Sequence, residues 1–282
     1  MDDRLSNIER YYGLFARFAR FSGKSVAELG CSTGYLLKAF RQQEQFSPIG
    51  IDIDRSALAR GRAEHGNGIH FVESTASGIP LPNESVDVVY TVDTVEHLSR
   101  AEDIFRECYR LLRPGGVFLV HFHPWLGPYG SHLEDILPLP WLHTVFSMET
   151  LLNAAAYLYA SDEYTPAYYW FDPDTGKRRP NPYTDHQHWK EYLNHMTIRQ
   201  FRRMLKVLPF ETVHFERIGF SGKAFRVGHW LRGLSQIPLL DEFFVFAVFC
   251  VLKKPIAHWA SLPIRSTDPR VVRIGKPQGE SE

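Results

Sequence analysis

Apolar residues recur at a helical spacing near the start of the chain and then in short runs typical of β-strands. From residue 5 to residue 21, apolar side chains return every three or four positions with arginines between them. This spacing predicts an amphipathic helix. Apolar runs then alternate with helical patterns near 33–40 and 56–64; the predicted strands are residues 25–30, 48–52, 69–73 and 86–92. Such alternation predicts an α/β fold with a parallel sheet.

The second half of the chain continues this alternation after an interruption. A helical pattern at 100–112 ends at Pro114-Gly115-Gly116, which predicts a helix stop leading into a strand at 117–123. Prolines, tryptophans and tyrosines then become frequent, with one helical pattern near 147–159. Later patterns predict a helix at 197–207, strands at 210–218 and 243–252, and a second, smaller insertion at 221–242.

These patterns divide the chain into five predicted segments. They are an N-terminal helix (1–22), a core (23–123), a substrate lid inserted after the fifth strand (124–194), a closing helix with the last two strands (195–255), and a mobile tail (256–282). The tail is rich in arginine, proline, glycine and serine, a composition typical of mobile segments.

Composition narrows the classes of protein to consider. Of 282 residues, 44% are apolar and 23% charged, which fits one large globular domain with an insertion. Lys plus Arg (32) equals Asp plus Glu (32), which argues against a protein that coats nucleic acid. Three scattered cysteines favour a reducing compartment, and neither a signal peptide nor a transmembrane run is apparent. We therefore predict a cytoplasmic protein.

The first predicted strand leads into a turn of small residues, Glu28-Leu-Gly-Cys-Ser-Thr-Gly34, that opens a helix. Glycines in such a turn let a ligand approach the backbone and the N–H groups at the helix start. The second strand ends at Asp52, 18 residues after Gly34. An acid about 20 residues after a glycine-rich turn binds a ribose in this architecture. The two features together predict a nucleoside site.

These residues resemble the class I S-adenosylmethionine-dependent methyltransferases, and in particular the small-molecule branch typified by ubiquinone and menaquinone biosynthesis methyltransferases. The likeness extends over about residues 23–123 and includes 79–89, Val95-Glu-His97 and Arg110-Leu-Leu-Arg-Pro-Gly-Gly116. It implies a Rossmann-like, doubly wound sheet of seven strands, mostly parallel with an antiparallel last strand. It also implies S-adenosyl-L-methionine as the cofactor.

The resemblance assigns roles to residues of the cofactor site. Glu28 would orient the turn and approach the methionine amino group, Gly30 and Gly34 would line the methionyl moiety, and Asp52 would accept hydrogen bonds from both ribose hydroxyls. The other predicted cofactor contacts are Cys31, Ser32, Ile53, Thr75, Ala76, Asp93 and His97. Two positions depart from the family: Ser32 replaces a glycine, and Ser74-Thr75 replaces an acid that often binds adenine.

The fifth strand ends with His121 and His123, which the two-residue strand period places on one face at the ligand-binding edge. They are the predicted catalytic residues, as bases for the O-methylation of a small or lipid-like hydroxylated metabolite. A structural role for one or both histidines is the alternative. Tyr12, Trp125, Tyr129 and Trp141 are the predicted substrate contacts. N- or C-methylation is a close variant of the reaction.

Other functions compete with this one. Gly30 to Gly34 also spells the Gly-x-Ser-x-Gly elbow of α/β-hydrolases, with Ser32 as nucleophile, but the chain upstream lacks an oxyanion strand. A non-catalytic S-adenosylmethionine-binding scaffold is a further alternative. Nucleic acid is not an expected partner, because the Asn/Asp-Pro-Pro-aromatic turn of base methyltransferases is absent after the fourth strand. The oligomeric state is open, with a homodimer among the options.

A metal site is not predicted, since no compact ligand motif is present. The alternative considered is a site that joins His121 and His123 to Asp185, His186 or His188.

Overall fold

The central element of the protein is one seven-stranded sheet with the strand order β3-β2-β1-β4-β5-β7-β6. We describe it from a computed structural model, which covers residues 7–161, 164–166, 170–172, 175–219, 237 and 240–256. The strands are β1 (Ser25–Leu29), β2 (Ser47–Asp52), β3 (His70–Glu73), β4 (Val86–Val92), β5 (Leu112–Phe122), β6 (Glu211–Gly219) and β7 (Val245–Lys253).

Strands β1 to β5 pair in parallel, and β7 pairs antiparallel with both β5 and β6. The predicted mostly parallel, doubly wound sheet with an antiparallel last strand is confirmed. In this order the carboxyl ends of β1 and β4 lie side by side near the middle of the sheet. Open α/β sheets bind ligands at that edge, where the strand order reverses.

Helices cover both faces of the sheet, as parallel strands require. The helices are α1 (Ile8–Ala16), α2 (Tyr35–Gln43), α3 (Arg55–His65), α4 (Ala101–Leu111), α5 (Leu142–Val145), α6 (Met148–Ala160), α7 (His186–Tyr192), α8 (Ile198–Val207) and α9 (Asp241–Phe244). One apolar layer includes Phe105 and Phe201 from α4 and α8. The other layer includes Phe15 and Phe40 from α1 and α2.

Strand β5 begins five residues before the predicted start at 117. The Pro114-Gly115-Gly116 segment, predicted as a helix stop, lies within the strand. Leu112 pairs with Val86, and the register between β4 and β5 then shifts. Gly115 has a φ of 82°, which side chains rarely adopt. The helix α4 ends at Leu111, close to the predicted stop, but the predicted strand start was wrong because a bulge lets the strand include residues that usually end an element.

The segment between β5 and α8 has an apolar core of its own. Leu133, Leu152, Tyr159, Tyr183 and Trp189 belong to it. The predicted helix at 147–159 is α6, which the Ser147 side chain caps at its N-terminus. The structure therefore accounts for many of the aromatic residues of this segment as core.

Two predicted segments lie mostly outside the described residues, and one predicted strand starts later than expected. Most of the second insertion at 221–242 and almost all of the tail at 256–282 lie outside the described residues. After that insertion, β7 starts at Val245 and not at the predicted residue 243, because residues 241–244 form α9. Within the described ranges, no helix is both long and apolar enough to cross a bilayer.

Candidate active site

The turn after β1 adopts backbone conformations that favour glycine. Gly30 and Gly34 have φ values of 76° and 80°, and Ser32 has 51°. A Cβ at Gly30 would lie 2.3 Å from the Thr94 hydroxyl oxygen, so a side chain has no room there. Gly34 is also the residue before the first turn of α2. The turn is therefore set by backbone conformation and by close packing against the loop after β4.

The Asp52 carboxylate at the end of β2 is fixed by two backbone groups. The Ser32 N–H donates to one carboxylate oxygen at 2.7 Å, and the Asp54 N–H donates to the other at 2.9 Å. A carboxylate offers about four lone-pair sites, so acceptor capacity remains on both oxygens. Asp52 is thus oriented before any ligand arrives and can still accept from a pair of hydroxyls.

A cavity of about 490 Å³ opens beside these groups. Its size falls within the range of roughly 300–1,000 Å³ that is typical of small-molecule sites. Among the predicted cofactor contacts, the residues in its wall are Gly30, Ser32, Asp52, Ile53, Thr75, Ala76, Asp93 and His97. The side chain of Ile53 is 61% exposed, which leaves an apolar surface for a flat ring. The turn after β1, the Asp52 carboxylate and the apolar surface of Ile53 together fit an adenosyl group.

The remaining predicted cofactor residues, Glu28, Cys31 and Gly34, pack within or beside the turn after β1. Glu28 is only 2% exposed and accepts a hydrogen bond from the Tyr90 hydroxyl at 3.2 Å. Burial and the neighbouring Glu28 raise the pKa of Tyr90, so its phenol stays neutral and donates. Burial also raises the pKa of the Cys31 thiol, which removes it as a nucleophile at neutral pH. A Cβ at Gly34 would meet the ring of Phe71.

Asp93, at the cavity wall just after β4, contacts both predicted catalytic histidines. Its carboxylate lies 2.9 Å from His121 Nδ1 and 3.4 Å from His123 Nε2. The Tyr11 hydroxyl donates to the other oxygen at 3.2 Å. Asp93 has a φ of 50°, an uncommon conformation outside glycine that is concentrated at functional sites.

The two histidines differ in their access to solvent. His121 is 1% exposed and packs its ring edge-on against Tyr11. The His123 side chain is 18% exposed, and its Nδ1 lies 2.7 Å from the Phe246 carbonyl oxygen. This contact points Nε2 toward Asp93. The structure thus connects both predicted catalytic residues with the cavity through one carboxylate.

The predicted substrate residues lie in two parts of the fold, α1 and the segment after β5. Tyr12 packs on Phe21 and Phe40, and burial together with Glu44 raises its pKa to about 12. Tyr11, rather than Tyr12, is the residue of α1 that reaches Asp93, and the substrate role of Tyr12 stays a prediction. Neighbouring positions on a helix point about 100° apart, and the apolar pattern did not resolve which one faces the site.

The three other predicted substrate contacts lie in the segment after β5. Trp125 stacks on the His195 ring with centroids 3.9 Å apart. The Tyr129 ring lies 6.4 Å from Phe246, the residue that contacts His123. The Trp141 indole N–H donates to the Phe243 carbonyl. These contacts place Tyr129 and Trp141 beside the residues around the start of β7, whereas Trp125 lies against the residues just before α8.

A second group of ligating side chains lies next to His123 and was not predicted. Glu96 and His97 belong to a 3₁₀ turn after β4, and His132 comes from the segment after β5. Burial is the main cause that lowers the pKa of His132 to about 3. Tyr192, also missed, lines the cavity and stacks on His97. No periodic pattern marks these residues, because they meet only through the folded insertion.

Two alternatives can be compared with this geometry. Ser32 contributes its backbone N–H to Asp52, and among the described residues no hydrogen bond joins its hydroxyl to a histidine, so a hydrolase is not favoured. The Asp185 side chain caps α7 by accepting from the His188 N–H. Among the residues that the structure covers, the groups with ligating atoms within 4.8 Å of one another are Asp93-His121-His123 and Glu96-His97-His132.

Comparison with known proteins identifies a family for part of the chain. Residues 27–120 match the family described as "Methyltransferase domain". A Mycolicibacterium smegmatis protein named "Probable S-adenosylmethionine-dependent methyltransferase" is 37% identical over 114 residues, which are 40% of this chain and 44% of the relative. The chain thus spans less than half the length of the curated relatives it matches first.

Solved structures resemble the fold over most of the chain. An S-adenosylmethionine-dependent methyltransferase from Mesorhizobium loti aligns with a TM-score of 0.52 and 16% identity, over 87% of this chain and 97% of its own. A chain solved in complex with the Trm112 methyltransferase activator of Haloferax volcanii aligns with a TM-score of 0.54 and 15% identity, over 90% and 92%. Residues 27–120 therefore form a class I methyltransferase domain, of the kind that uses S-adenosyl-L-methionine as its cofactor.

Proposed function

We propose that this protein transfers the methyl group of S-adenosyl-L-methionine to an oxygen of a small or lipid-like hydroxylated metabolite in the cytoplasm. The observation that supports the donor part most directly is the Asp52 carboxylate, held by the Ser32 N–H at the wall of a cavity of about 490 Å³. The acceptor part depends on the histidine pair that meets Asp93. Separate experiments test the donor part and the acceptor part.

The sulfonium of the donor, when bound, supplies an already activated methyl group. The residues of the chain then have to bind the donor and the acceptor, orient them, and exclude water. Asp52 would hold the ribose hydroxyls, Gly30 and Ser32 would leave space for the methionyl end, and Ile53 would pack on the adenine. Alignment of two reactants can lower a barrier by about 7–11 kcal/mol, which makes positioning the main contribution of the protein.

The acceptor hydroxyl has to lose a proton as its oxygen forms a bond to the methyl carbon and the carbon–sulfur bond breaks. We assign that proton to His123, the more exposed histidine of the pair. Because His123 Nδ1 donates to the Phe246 carbonyl oxygen, Nε2 carries the lone pair that would take the proton, and Asp93 at 3.4 Å would stabilise the charged ring that results. The other oxygen of Asp93 accepts from Tyr11. His121, which is 1% exposed, would act as a positioning residue behind Asp93.

The segment 124–194 is the proposed substrate lid. Tyr192 from its last helix reaches the cavity wall, and the Asn194 side-chain amide donates to the carbonyls of Val95 and Leu98. These contacts attach the end of the segment to the loop after β4. Trp125, Tyr129 and Trp141 would then supply apolar surface for the acceptor.

Titration calorimetry with S-adenosylmethionine and S-adenosylhomocysteine tests the donor site. We expect one binding site per chain for each ligand. Absence of binding by both would overturn the proposed function at its first step. Binding without any methyl transfer to a cell extract, followed with labelled donor, would instead favour the scaffold alternative.

Replacement of the histidines tests the acceptor side. His123→Ala should slow methyl transfer by about 10²–10⁴-fold, the usual contribution of a general base. It should leave the affinity for S-adenosylhomocysteine unchanged. His188→Ala is the matched control, since His188 lies in α7 outside the Asp93 group. Unchanged rates for both His121→Ala and His123→Ala would assign the pair a structural role.

A further inference from the structure

We propose that Glu96, His97 and His132 bind one divalent transition-metal ion at the boundary between the donor cavity and the segment after β5. One oxygen or nitrogen atom from each side chain lies within 4.8 Å of the others. Two of the residues come from the 3₁₀ turn Val95–His97, and the third comes from the loop that follows β5. The ion would therefore bridge the methyltransferase domain and the insertion.

The spacing of the ligating atoms fits an ion better than a direct contact. His132 Nε2 lies 3.7 Å from Glu96 Oε1, which exceeds the length of a hydrogen bond. Two atoms that each lie about 2.1 Å from one ion are roughly 3.0–4.2 Å apart, depending on the coordination angle. The imidazole and carboxylate are thus separated by the distance that a shared ion would impose.

The His132 ring supplies an independent observation. Its Nε2 is buried and has no hydrogen-bond partner among the residues that the structure describes, and the atom lies 3.7 Å from the Glu96 carboxylate. A buried polar atom without a partner is costly, and proteins keep few of them. A metal ion at this point would accept the lone pair of Nε2 and remove the cost.

The His97 ring is oriented as metal-bound histidines usually are. Its Nδ1 lies 2.9 Å from the Tyr192 carbonyl oxygen, so this nitrogen donates to the backbone and the lone pair of the neutral ring is on Nε2. Histidine ligands commonly donate their second ring N–H to a carbonyl in this way, which fixes the tautomer and the ring plane. The same ring lines the donor cavity.

Glu96 supplies the negative charge that such a site needs. The residue is 3% exposed, and the His123 N–H donates to its Oε1 at 3.3 Å. A buried carboxylate is costly unless charged or polar groups compensate it. The neighbouring Asp93 group needs an ion less, because its carboxylate already lies 2.9 Å from His121 Nδ1, within hydrogen-bond distance.

Two imidazoles and one carboxylate form a donor set suited to Zn²⁺, Fe²⁺ and Co²⁺, with coordination positions left open. Since His97 belongs to the cavity wall, we place the open positions on the cavity side, where an oxygen of the acceptor would bind. That orientation rests on the proposed function. Binding of the ion itself does not.

Cobalt binding to the full-length, untagged protein tests the site. The protein is dialysed against a chelator and then against metal-free buffer, and Co²⁺ is added while the visible absorption is recorded. We expect one equivalent of Co²⁺ to produce d–d bands, and Zn²⁺ to displace it. Absence of bands, together with no heat in a Zn²⁺ titration, would overturn the proposal.

Variants assign the ion to its ligands. His132→Ala and Glu96→Gln should each weaken Zn²⁺ affinity at least about tenfold, whereas His186→Gln, a histidine of the same insertion outside the group, should not. Equal affinity in all four proteins would refute the assignment. Loss of binding in His121→Ala but not in His132→Ala would place the ion in the Asp93 group and refute it as well.

Two further measurements keep the result independent of folding and of the proposed function. Circular dichroism checks each variant, and His132→Gln replaces His132→Ala if the latter fails to fold. S-adenosylhomocysteine is titrated into the metal-free protein, where we expect unchanged affinity. Metal binding without nucleoside binding would contradict the proposed function alone, and the reverse result would contradict the metal site alone.

Discussion

The Ser32 N–H donates a hydrogen bond to the Asp52 carboxylate at 2.7 Å, which joins the turn after β1 to the end of β2. The two residues are 20 positions apart in sequence. Their strands are neighbours in the sheet, with Glu28 paired to Gly50 and Leu29 to Ile51. The parallel register therefore brings the turn and the acid to one edge, where a nucleoside can contact both.

Asp52→Asn should weaken binding of S-adenosylhomocysteine by roughly 10–100-fold. Hydrogen bonds to a charged group contribute about 1.5–3 kcal/mol, and the amide accepts fewer and weaker bonds than the carboxylate. Titration calorimetry measures the effect. Glu73→Gln is the control, because Glu73 ends the adjacent strand β3 but pairs with Arg55. Equal losses in both variants would contradict the ribose role of Asp52.

Gly30→Ala and Gly13→Ala should change stability in opposite directions. At Gly30 the new methyl group would meet Thr94 at 2.3 Å, and the φ of 76° disfavours alanine, so we expect a lower melting temperature. Gly13 lies within α1, where a new Cβ would meet no described atom within 4 Å outside its chain neighbours and the helix backbone, and alanine there should add about 0.5–1 kcal/mol. Thermal unfolding followed by circular dichroism distinguishes the two.

The Phe71 ring fills the space that three glycines leave. A Cβ at Gly34, Gly50 or Gly61 would lie within 3.0 Å of this ring. Phe71→Ala should therefore lower the free energy of unfolding by about 3–5 kcal/mol, since the cavity cannot close easily. Urea unfolding gives the value. Phe146→Ala, at a residue that is 49% exposed, should change it little; a similar loss there would contradict the packing argument.

The Glu107 carboxylate should stabilise the fold in a pH-dependent way. Arg110 donates to it at 2.8 Å, and this contact, with the Ile79 N–H, lowers the pKa of Glu107. A lowered folded pKa means that the stabilisation is complete above the unfolded value of about 4.3 and is lost as pH falls through the folded value. Glu107→Gln should thus cost about 1 kcal/mol at pH 7.

Urea unfolding of both proteins between about pH 7 and about pH 3 checks this dependence. The difference between wild type and Glu107→Gln should narrow as the pH falls. A difference that stays constant would exclude the linkage. Glu102→Gln removes a more exposed pair with Arg106 and should change stability less at pH 7.

The strand–helix alternation, the glycine turn and Asp52 could all be predicted from the amino-acid sequence. Each of these is a local signal. Buried parallel strands require continuous apolar runs, and a turn with positive φ at Gly30 and Gly34 requires residues without a Cβ. Because strand order in this architecture follows from right-handed crossovers, a spacing of some 20 residues already implied that the turn and the acid meet.

Local sequence patterns were insufficient where contacts with distant parts of the chain determine which residue faces the site or where an element begins. The apolar pattern of α1 did not distinguish Tyr12, which packs on Phe21, from Tyr11, which reaches Asp93. The Pro114-Gly115-Gly116 segment is a helix stop by local preference, but it lies within β5 because Leu112 and Val117 on either side of it pair with β4. In both cases contacts with a distant part of the chain outweigh local preference.

Only the tertiary structure brought Glu96 and His97 to His132, and Tyr11 to Asp93. These residues belong to elements far apart in sequence, and no period or motif relates them. The contact with His132 depends on how the insertion after β5 folds back over the sheet, and the contact of Tyr11 depends on how α1 packs beside the loop after β4. Side-chain chemistry there arises from the packing of separate segments, which a pattern along one segment does not contain.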